Sequence, residues 1–416
     1  MDTKILRQVV IDHNKKKLSR AVVPRELFSR VSEFVKTPFV IIISGIRRCG
    51  KSTLLDEVRS KQQESYYLNF DDERLASFSL EDFQTMYDLF RELLGERDLF
   101  FFDEIQNVPE WERFVRRLHD EGKHVFITGS NASMLSKELG TRLTGRNVVF
   151  SLYPFSFYEF LLWKKCSFTN INALTSEKKG EIKRFFSEYL STGGFPEFLS
   201  TKKDEYLISL YEGVLYRDVI TRHNIPNEKI VREVISFAIA NIGKELSFNS
   251  IKKAVGLTSA TTVKEYFSYF ENSYLSFLIP RFDVSLKKQI YYNKKVYIID
   301  SALARIIGFR QDDDAGRMLE NCVFLELKRK GKEIYFHKDV KECDFIIRKA
   351  RTILQAIQVT MQWKGNEERE RSGLWEAMEK YNLQEGLVLT FDEEETITQN
   401  DKKIYVLPVW KWLLQQ

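Results

Sequence analysis

Between residues 39 and 152 the chain alternates short apolar runs with longer stretches whose apolar residues recur at helical spacing. The runs fall at residues 39–43, 66–70, 99–102, 124–128 and 147–152. They are nearly continuous, which predicts strands buried on both faces. Helical patterns intervene at 52–58, 81–94, 111–121 and 132–139. Strand and helix in alternation predict an α/β fold, a mostly parallel sheet with helices on both faces. Residues 1–38 read as a mixed helical lead-in, and its run Asn14-Lys15-Lys16-Lys17 as a solvated face.

Past residue 150 the pattern changes twice. Residues 151–224 are mainly helical, broken by the turn Gly193-Gly194-Phe195-Pro196. Arg217-Asp218 and Arg222-His223 fall on a helix beginning near Glu205, where they serve as lid or interface residues or as a surface ion pair. From about Asn227, helices at 229–242 and 250–255, the turn Gly256-Leu257-Thr258-Ser259 and a longer helix at 260–272 give a helix-turn-helix pattern. Strand-like runs at 274–282 and 289–299 follow as a wing. The organisation expected is a parallel-sheet α/β core at 1–150, a helical lid or connector at 151–224, a winged helix at 225–300 and a small α/β domain at 301–416.

The first apolar run leads into Gly45-Ile46-Arg47-Arg48-Cys49-Gly50-Lys51-Ser52, followed by Thr53. This is G-x-x-x-x-G-K-[ST], set between a strand and a helix as the phosphate-cradling loop requires. Successive backbone N–H groups at a helix N-terminus supply the donors a triphosphate needs. Gly45 and Gly50 permit positive φ and close backbone approach. Lys51 brings a point charge to the β- and γ-phosphates, and the Ser52 hydroxyl takes a Mg²⁺ position. The alternative is a turn that merely happens to be rich in glycine.

The third run ends in Asp103-Glu104, a Walker B pattern. Asp103 would hold Mg²⁺ through water, and Glu104 would polarise an attacking water. The fourth run ends in Gly129-Ser130-Asn131. Ser130 or Asn131 can orient water as a sensor, or cap the helix that follows. Arg142 and Arg146 come next, able to reach a neighbouring subunit's γ-phosphate or to lie in surface salt bridges.

Composition narrows the class without choosing it. At 416 residues the chain exceeds one ordinary core. With 43% hydrophobic and 30% charged residues it reads as folded and soluble. A net charge of +5 is compatible with nucleic acid and no more. The charged start has no apolar signal-peptide segment, and no run approaches membrane-span length, so no membrane partner is expected. Cys49, Cys166, Cys322 and Cys343 lack C-x-x-C spacing and read as reduced thiols of a cytoplasmic protein. The five His are scattered and indicate no zinc site.

The motifs together resemble the prokaryotic AAA-superfamily ATPases that carry a C-terminal winged-helix plus nuclease-like module. The resemblance lies in Gly45 to Ser52, Tyr67-Leu68-Asn69-Phe70-Asp71-Asp72, Phe102-Asp103-Glu104-Ile105-Gln106, Thr128-Gly129-Ser130-Asn131 and Leu143-Thr144-Gly145-Arg146. It extends through Leu152-Tyr153-Pro154-Phe155-Ser156-Phe157-Tyr158-Glu159-Phe160 and Gly193-Gly194-Phe195-Pro196-Glu197. It implies binding and hydrolysis of ATP with Mg²⁺, in a chain that can form a homo-oligomer. The rival readings are a DNA-binding regulator with ATP as switch ligand and a P-loop kinase of a small molecule. The pair Asp103-Glu104 favours hydrolysis over transfer.

The winged helix suggests DNA as a partner, met by Arg281, Lys287, Lys288, Lys294 and Lys295 around Tyr291-Tyr292. The presumed recognition helix near Thr261 to Tyr266 is not strongly basic, and such modules also dock proteins. The final segment resembles the PD-(D/E)xK nuclease fold, with Glu320 and Glu326 on a helix, Asp344 at a strand start and Gln358 and Thr360 on the next strand. Gln358 stands where a carboxylate is usual and Thr360 where lysine is usual. Lys349 and Lys364 are the nearest lysines in sequence, and neither occupies the slot. The expectation is an inactive nuclease-like fold with a degenerate site at Glu320, Asp344 and Gln358.

Overall fold

A computed structural model describes residues 1–15, 22–62, 64–130, 145–308 and 315–415. The chain divides into two compact units, Met1–Tyr153 and Pro154–Gln416.

In the first unit β1 (Val40–Ser44), β2 (Tyr66–Asn69), β3 (Leu99–Asp103), β4 (His124–Gly129) and β5 (Asn147–Ser151) form a five-stranded sheet. The order is β2-β3-β4-β1-β5, and every neighbouring pair is parallel. All residues of β1 and β3 are buried, as continuous apolar runs require. The helices are α1 (Thr3–Lys15), α2 (Leu27–Ser32), α3 (Lys51–Ser60), α4 (Asp82–Leu94) and α5 (Trp111–Asp120). α4 buries Phe83, Met86 and Phe90 at helical spacing, and Phe83 stacks on Phe114 of α5 with ring centroids 4.5 Å apart. α1 covers the edge strand β2: Asn14 accepts from Tyr67 N–H at 3.0 Å and donates to Tyr67 O at 2.9 Å. One side-chain amide thus takes the place of a strand partner. The helix expected at 132–139, with Asn131 and Arg142, lies outside the described residues.

The second unit opens with α6 (Phe157–Trp163), α7 (Ser176–Thr192), α8 (Pro196–Thr201) and α9 (Asp204–Gly213), which continues with wider π pairing over Val214–Thr221. The Gly193-Gly194 turn is dictated by close approach. A Cβ on Gly193 (φ +61) would fall 2.1 Å from Asp300 Oδ1, and one on Gly194 would fall 2.4 Å from Phe155 O. Asp300 also accepts from Gly194 N–H at 2.7 Å. Arg222 pairs with buried Asp218 one helical turn away, at 3.4 Å.

Then come α10 (Glu228–Ala240), β6 (Glu245–Leu246), α11 (Phe248–Ala254), α12 (Ala260–Asn272), β7 (Ser276–Pro280), α13 (Leu286–Tyr291) and β8 (Lys294–Ile298). The three strands pair antiparallel in the order β6-β8-β7. The single strand expected at 289–299 is thereby corrected: its first residues belong to α13. The β7–β8 ladder ends at Pro280 opposite Lys294, and proline has no N–H with which to extend it.

α14 (Ser301–Ile307) and α15 (Ala315–Arg329) lead to a six-stranded mixed sheet. Its strands are β9 (Glu333–Lys338), β10 (Glu342–Lys349), β11 (Thr352–Thr360), β12 (Glu385–Thr390), β13 (Glu395–Gln399) and β14 (Lys402–Pro408), in the order β13-β14-β12-β11-β10-β9. α16 (Glu367–Lys380) packs Leu374, Ala377 and Met378 into its core, and α17 (Val409–Leu414) closes the unit. No helix among the described residues is long and apolar enough to cross a membrane.

Candidate nucleotide site

The site lies at the C-terminal edge of the parallel sheet, where β1, β3 and β4 end at Ser44, Asp103 and Gly129. Register aligns Ser44 with Gly129, so Ser130 follows beside the start of the glycine loop. Both glycines of the loop motif are required by geometry. A Cβ on Gly45 would fall 2.1 Å from Leu152 O, and Gly50 has φ +102. Gly50 is the cap from which α3 begins at Lys51, so the loop's N–H groups and those of Ser52 and Thr53 lie at a helix N-terminus. Ile46 and Cys49 are fully buried, while Arg48 is exposed at φ 63. Arg47 is close enough for its charge to act on Lys51 and Glu104.

Lys51 is buried and donates to Ile46 O at 3.2 Å. Its ammonium lies 3.6 Å from Glu104 Oε1. Glu104 has left-handed backbone (φ 51), which turns it off the end of β3. Its other oxygen accepts from Gln106 Nε2. Burial pushes the Glu104 carboxyl up, but the Lys51 charge and the Gln106 hydrogen bond outweigh it and leave it below its ordinary value. Asp103 is fully buried and accepts hydrogen bonds from Thr128 Oγ1 and from the Ser52 hydroxyl. Burial pushes its carboxyl up to about 6, those hydrogen bonds offsetting part of the effect. Thr128 Oγ1 also accepts from Glu104 N–H at 2.9 Å, so one hydroxyl ties both acids to β4.

The structure thus brings together Lys51, Ser52, Asp103 and Glu104, with Ser130 buried at the adjoining strand end. Arg146 is elsewhere. Its carbonyl accepts from Val40 N–H at the opposite, N-terminal edge of the sheet, and its guanidinium pairs with Asp120 at 2.6 Å. Asn131 and Arg142 are outside the described residues.

Two supports were not singled out in sequence. Thr128 is one; a hydroxyl inside an apolar run is the signal that could have found it. The other is buried Arg25, which donates to Cys49 O at 2.7 Å and to Tyr153 O at 2.6 Å, bracing the loop from below. Nothing in its sequence neighbourhood marks it.

The residues fit a metal-bound triphosphate. A hydroxyl and a carboxylate, both hard oxygen donors, are in contact beside a buried ammonium and a helix N-terminus.

In the second unit Glu320, Asp344 and Gln358 also come together, around a residue assigned otherwise in sequence. Lys295 was expected on the wing meeting phosphates. It is instead buried, with its ammonium 2.9 Å from Asp344 Oδ1 and 3.3 Å from Glu320 Oε1. Alternation puts Lys295 on the face of β8 opposite Lys294 and Val296. Both faces of the strand are covered, since Val296 is buried too, and Lys295 shares its face with buried Tyr297, whose hydroxyl donates to Glu320. Most of the other wing cations are engaged within the chain. Arg281 bonds Asp339 at 3.0 Å, Lys294 donates to Gln289 O and Lys288 pairs with Asp283 at 3.8 Å. His337, Asp339 and Glu376 bring one possible ligand atom each within 4.8 Å of one another, a grouping that spacing did not suggest. Arg281 and Lys380 already hold Asp339, which makes the group an ion-pair cluster.

Residues 37–161 match the AAA domain family, and residues 183–313 match a domain of unknown function. An uncharacterized protein of Methanocaldococcus jannaschii is 34% identical over all of this chain and 96% of its own length. One from Haemophilus influenzae is 33% identical over 96% of this chain and 100% of its own. Among solved structures, the Walker-type ATPase of Pyrococcus abyssi is 17% identical, with a TM-score of 0.47 over 70% of this chain and 98% of that one.

Proposed function

Because the chain belongs to the family of its Methanocaldococcus jannaschii relative, with an AAA domain in its first part, we propose that it binds and hydrolyses ATP. The observation that carries the reading is the meeting of Lys51, Ser52, Asp103, Glu104 and Thr128 at one edge of the sheet. The N–H groups from Gly45 to Thr53 and the Lys51 ammonium hold the phosphates. Ser52 and Asp103 hold Mg²⁺, which when bound neutralises charge on the phosphates. Glu104 orients the attacking water and takes its proton at a carboxylate oxygen. Ser130 and Asn131 serve as sensors, and Arg142 or Arg146 acts on a neighbouring copy in a homo-oligomer.

The adjoining acids Asp103 and Glu104 at the end of β3, one for the metal and one for water, favour hydrolysis over transfer to a small-molecule hydroxyl. In the second unit, the order helix, strand, two helices and an antiparallel strand pair connected through the short helix α13 supports a winged helix within 225–300. It follows a connector at 151–224 and precedes a nuclease-like domain at 301–416. DNA contact, at a cytoplasmic location, belongs to this proposal at lower charge than the sequence promised, since Lys295 is spent inside the fold.

The test is steady-state phosphate release from Mg·ATP, with and without DNA, beside sedimentation. Release that rises per chain as oligomers form supports the whole reading. Binding without turnover would leave ATP as a switch ligand. Transfer to a small molecule in place of water would make the protein a kinase.

A further inference from the structure

The sequence offers Asp344 and Gln358 as oxygen donors to a divalent metal at a nuclease-like centre, with Glu320 beside them. The geometry does not fit that metal. The Lys295 side chain is about 1% exposed, and its Nζ lies 2.8 Å from Glu342 Oε1, 2.9 Å from Asp344 Oδ1 and 3.3 Å from Glu320 Oε1. An ammonium has three N–H donors, and here three carboxylates meet them. Further donors engage the same carboxylates. Asp344 Oδ2 accepts from Val359 N–H at 2.9 Å, Glu342 Oε2 pairs with Lys338 at 3.4 Å, and Tyr297 donates its hydroxyl at 2.6 Å to Glu320 Oε1, the oxygen that faces Lys295. The Gln358 amide oxygen is turned to Asp344 N–H at 3.3 Å, and its NH₂ group donates to Glu370 at 2.9 Å. Magnesium needs near-octahedral oxygens at about 2.1 Å. This set is instead spaced by hydrogen bonds about a nitrogen.

We infer that the Lys295 ammonium is the resident cation of this centre, standing where a nuclease-like site would hold a divalent metal, so that the native chain neither binds the metal there nor cleaves DNA. The lysine comes from β8, while the carboxylates come from α15 and β10, so the ion cluster also fastens these three elements together. Burial and the neighbouring Asp344 charge hold the Glu320 carboxyl above its ordinary range, which moderates the excess of negative charge around one ammonium. The inference does not depend on the nucleotide site, because every measurement below uses protein without ATP.

The experiment titrates Mn²⁺ alone into the full chain by calorimetry and thermal shift, in wild type, Asp344→Asn, Lys295→Ala and the Lys295→Ala/Asp344→Asn double variant. Wild type and Asp344→Asn should bind Mn²⁺ equally, which also subtracts any binding at the glycine loop. Lys295→Ala should melt several degrees lower and bind Mn²⁺ at least tenfold more tightly than wild type. Mn²⁺ should restore part of the lost melting temperature, and the double variant should lose that gain. Wild-type Mn²⁺ binding that disappears in Asp344→Asn would overturn the inference, as would a folded Lys295→Ala with no Asp344-dependent gain. Should Lys295→Ala not fold, the comparison of wild type with Asp344→Asn decides alone. Plasmid incubated with wild type and Mg²⁺ or Mn²⁺ should stay intact; cleavage that is lost in Asp344→Asn would likewise overturn it.

Discussion

The Glu104 carboxylate lies 3.6 Å from the Lys51 ammonium, joining the acid at the end of β3 to the lysine at the start of α3. Each is buried, and each holds the other in its charged form: the Lys51 charge lowers the Glu104 carboxyl, and the Glu104 charge raises the Lys51 ammonium against the effect of burial. In the proposed reaction the phosphates compete with Glu104 for this ammonium, which releases the carboxylate toward water.

The two residues should therefore separate in their effects. Lys51→Ala should lose tight ATP binding, because the counter-charge is gone. Glu104→Gln should keep binding and hydrolyse roughly 100-fold more slowly or worse, as for loss of a general base. Equilibrium binding of a fluorescent nucleotide, read beside phosphate release, separates the two. A Glu104→Gln protein that turns over at the wild-type rate would remove Glu104 from the role.

Thr128 makes a prediction of its own. Its hydroxyl donates to Asp103 and accepts from Glu104 N–H, so Thr128→Val leaves both without that partner while keeping the side-chain shape. Orphaning buried polar groups costs about 1–3 kcal/mol. Thr128→Val should melt earlier and hydrolyse more slowly, and Thr128→Ser should restore most of both. Equal behaviour of Val and Ser would show the hydroxyl to be idle.

The wing lysines predict a shallow salt dependence. Each lysine that truly neutralises a DNA phosphate contributes about 0.9 to the slope of log affinity against log salt. Lys287 and Lys288 lie on α13 beside the exposed Leu286, Ile290 and Tyr291, whereas Lys295 is buried. Replacing Lys287 and Lys288 by Ala should lower the slope by up to about 2. A slope unchanged by that pair would take the wing out of the contact.

These cases mark where the sequence can be read and where it cannot. The glycine loop and the Asp103-Glu104 pair are legible because their chemistry sits in consecutive residues framed by apolar runs. Lys295 is not, since its partners Glu320 and Asp344 lie 25 and 49 positions away. Next to Lys294 it looks like half of a basic patch, and only the alternation along β8, which puts the two on opposite faces, separates them. Arg25 is hidden for the same reason, because it braces backbone carbonyls that carry no sequence signature. Residues 289–291, the end of α13, read as strand because the local apolar residues suit either; the β7–β8 ladder stops at Pro280 and Lys294, short of them.

His337 sets a pH limit on the second unit. Its ring is about 1% exposed, with Nε2 2.9 Å from Glu376 Oε1 and Nδ1 2.9 Å from the Tyr381 hydroxyl. A neutral ring satisfies both, donating from Nε2 and accepting at Nδ1, whereas protonation puts an N–H against the Tyr381 donor. Burial pushes the ring below the ordinary histidine value of 6.5, and Glu376 and Asp339 recover only part of it against the nearby Lys380. The folded state therefore binds fewer protons here than the unfolded chain does. Stability should be intact above about pH 6.5 and fall as the pH drops through and below it. Melting followed from pH 7.5 to 5.5 should show that loss in wild type. His337→Gln should start lower at pH 7.5 and decline less steeply, because it has no ring to protonate. Parallel decline in the two proteins would assign the acid sensitivity to other groups.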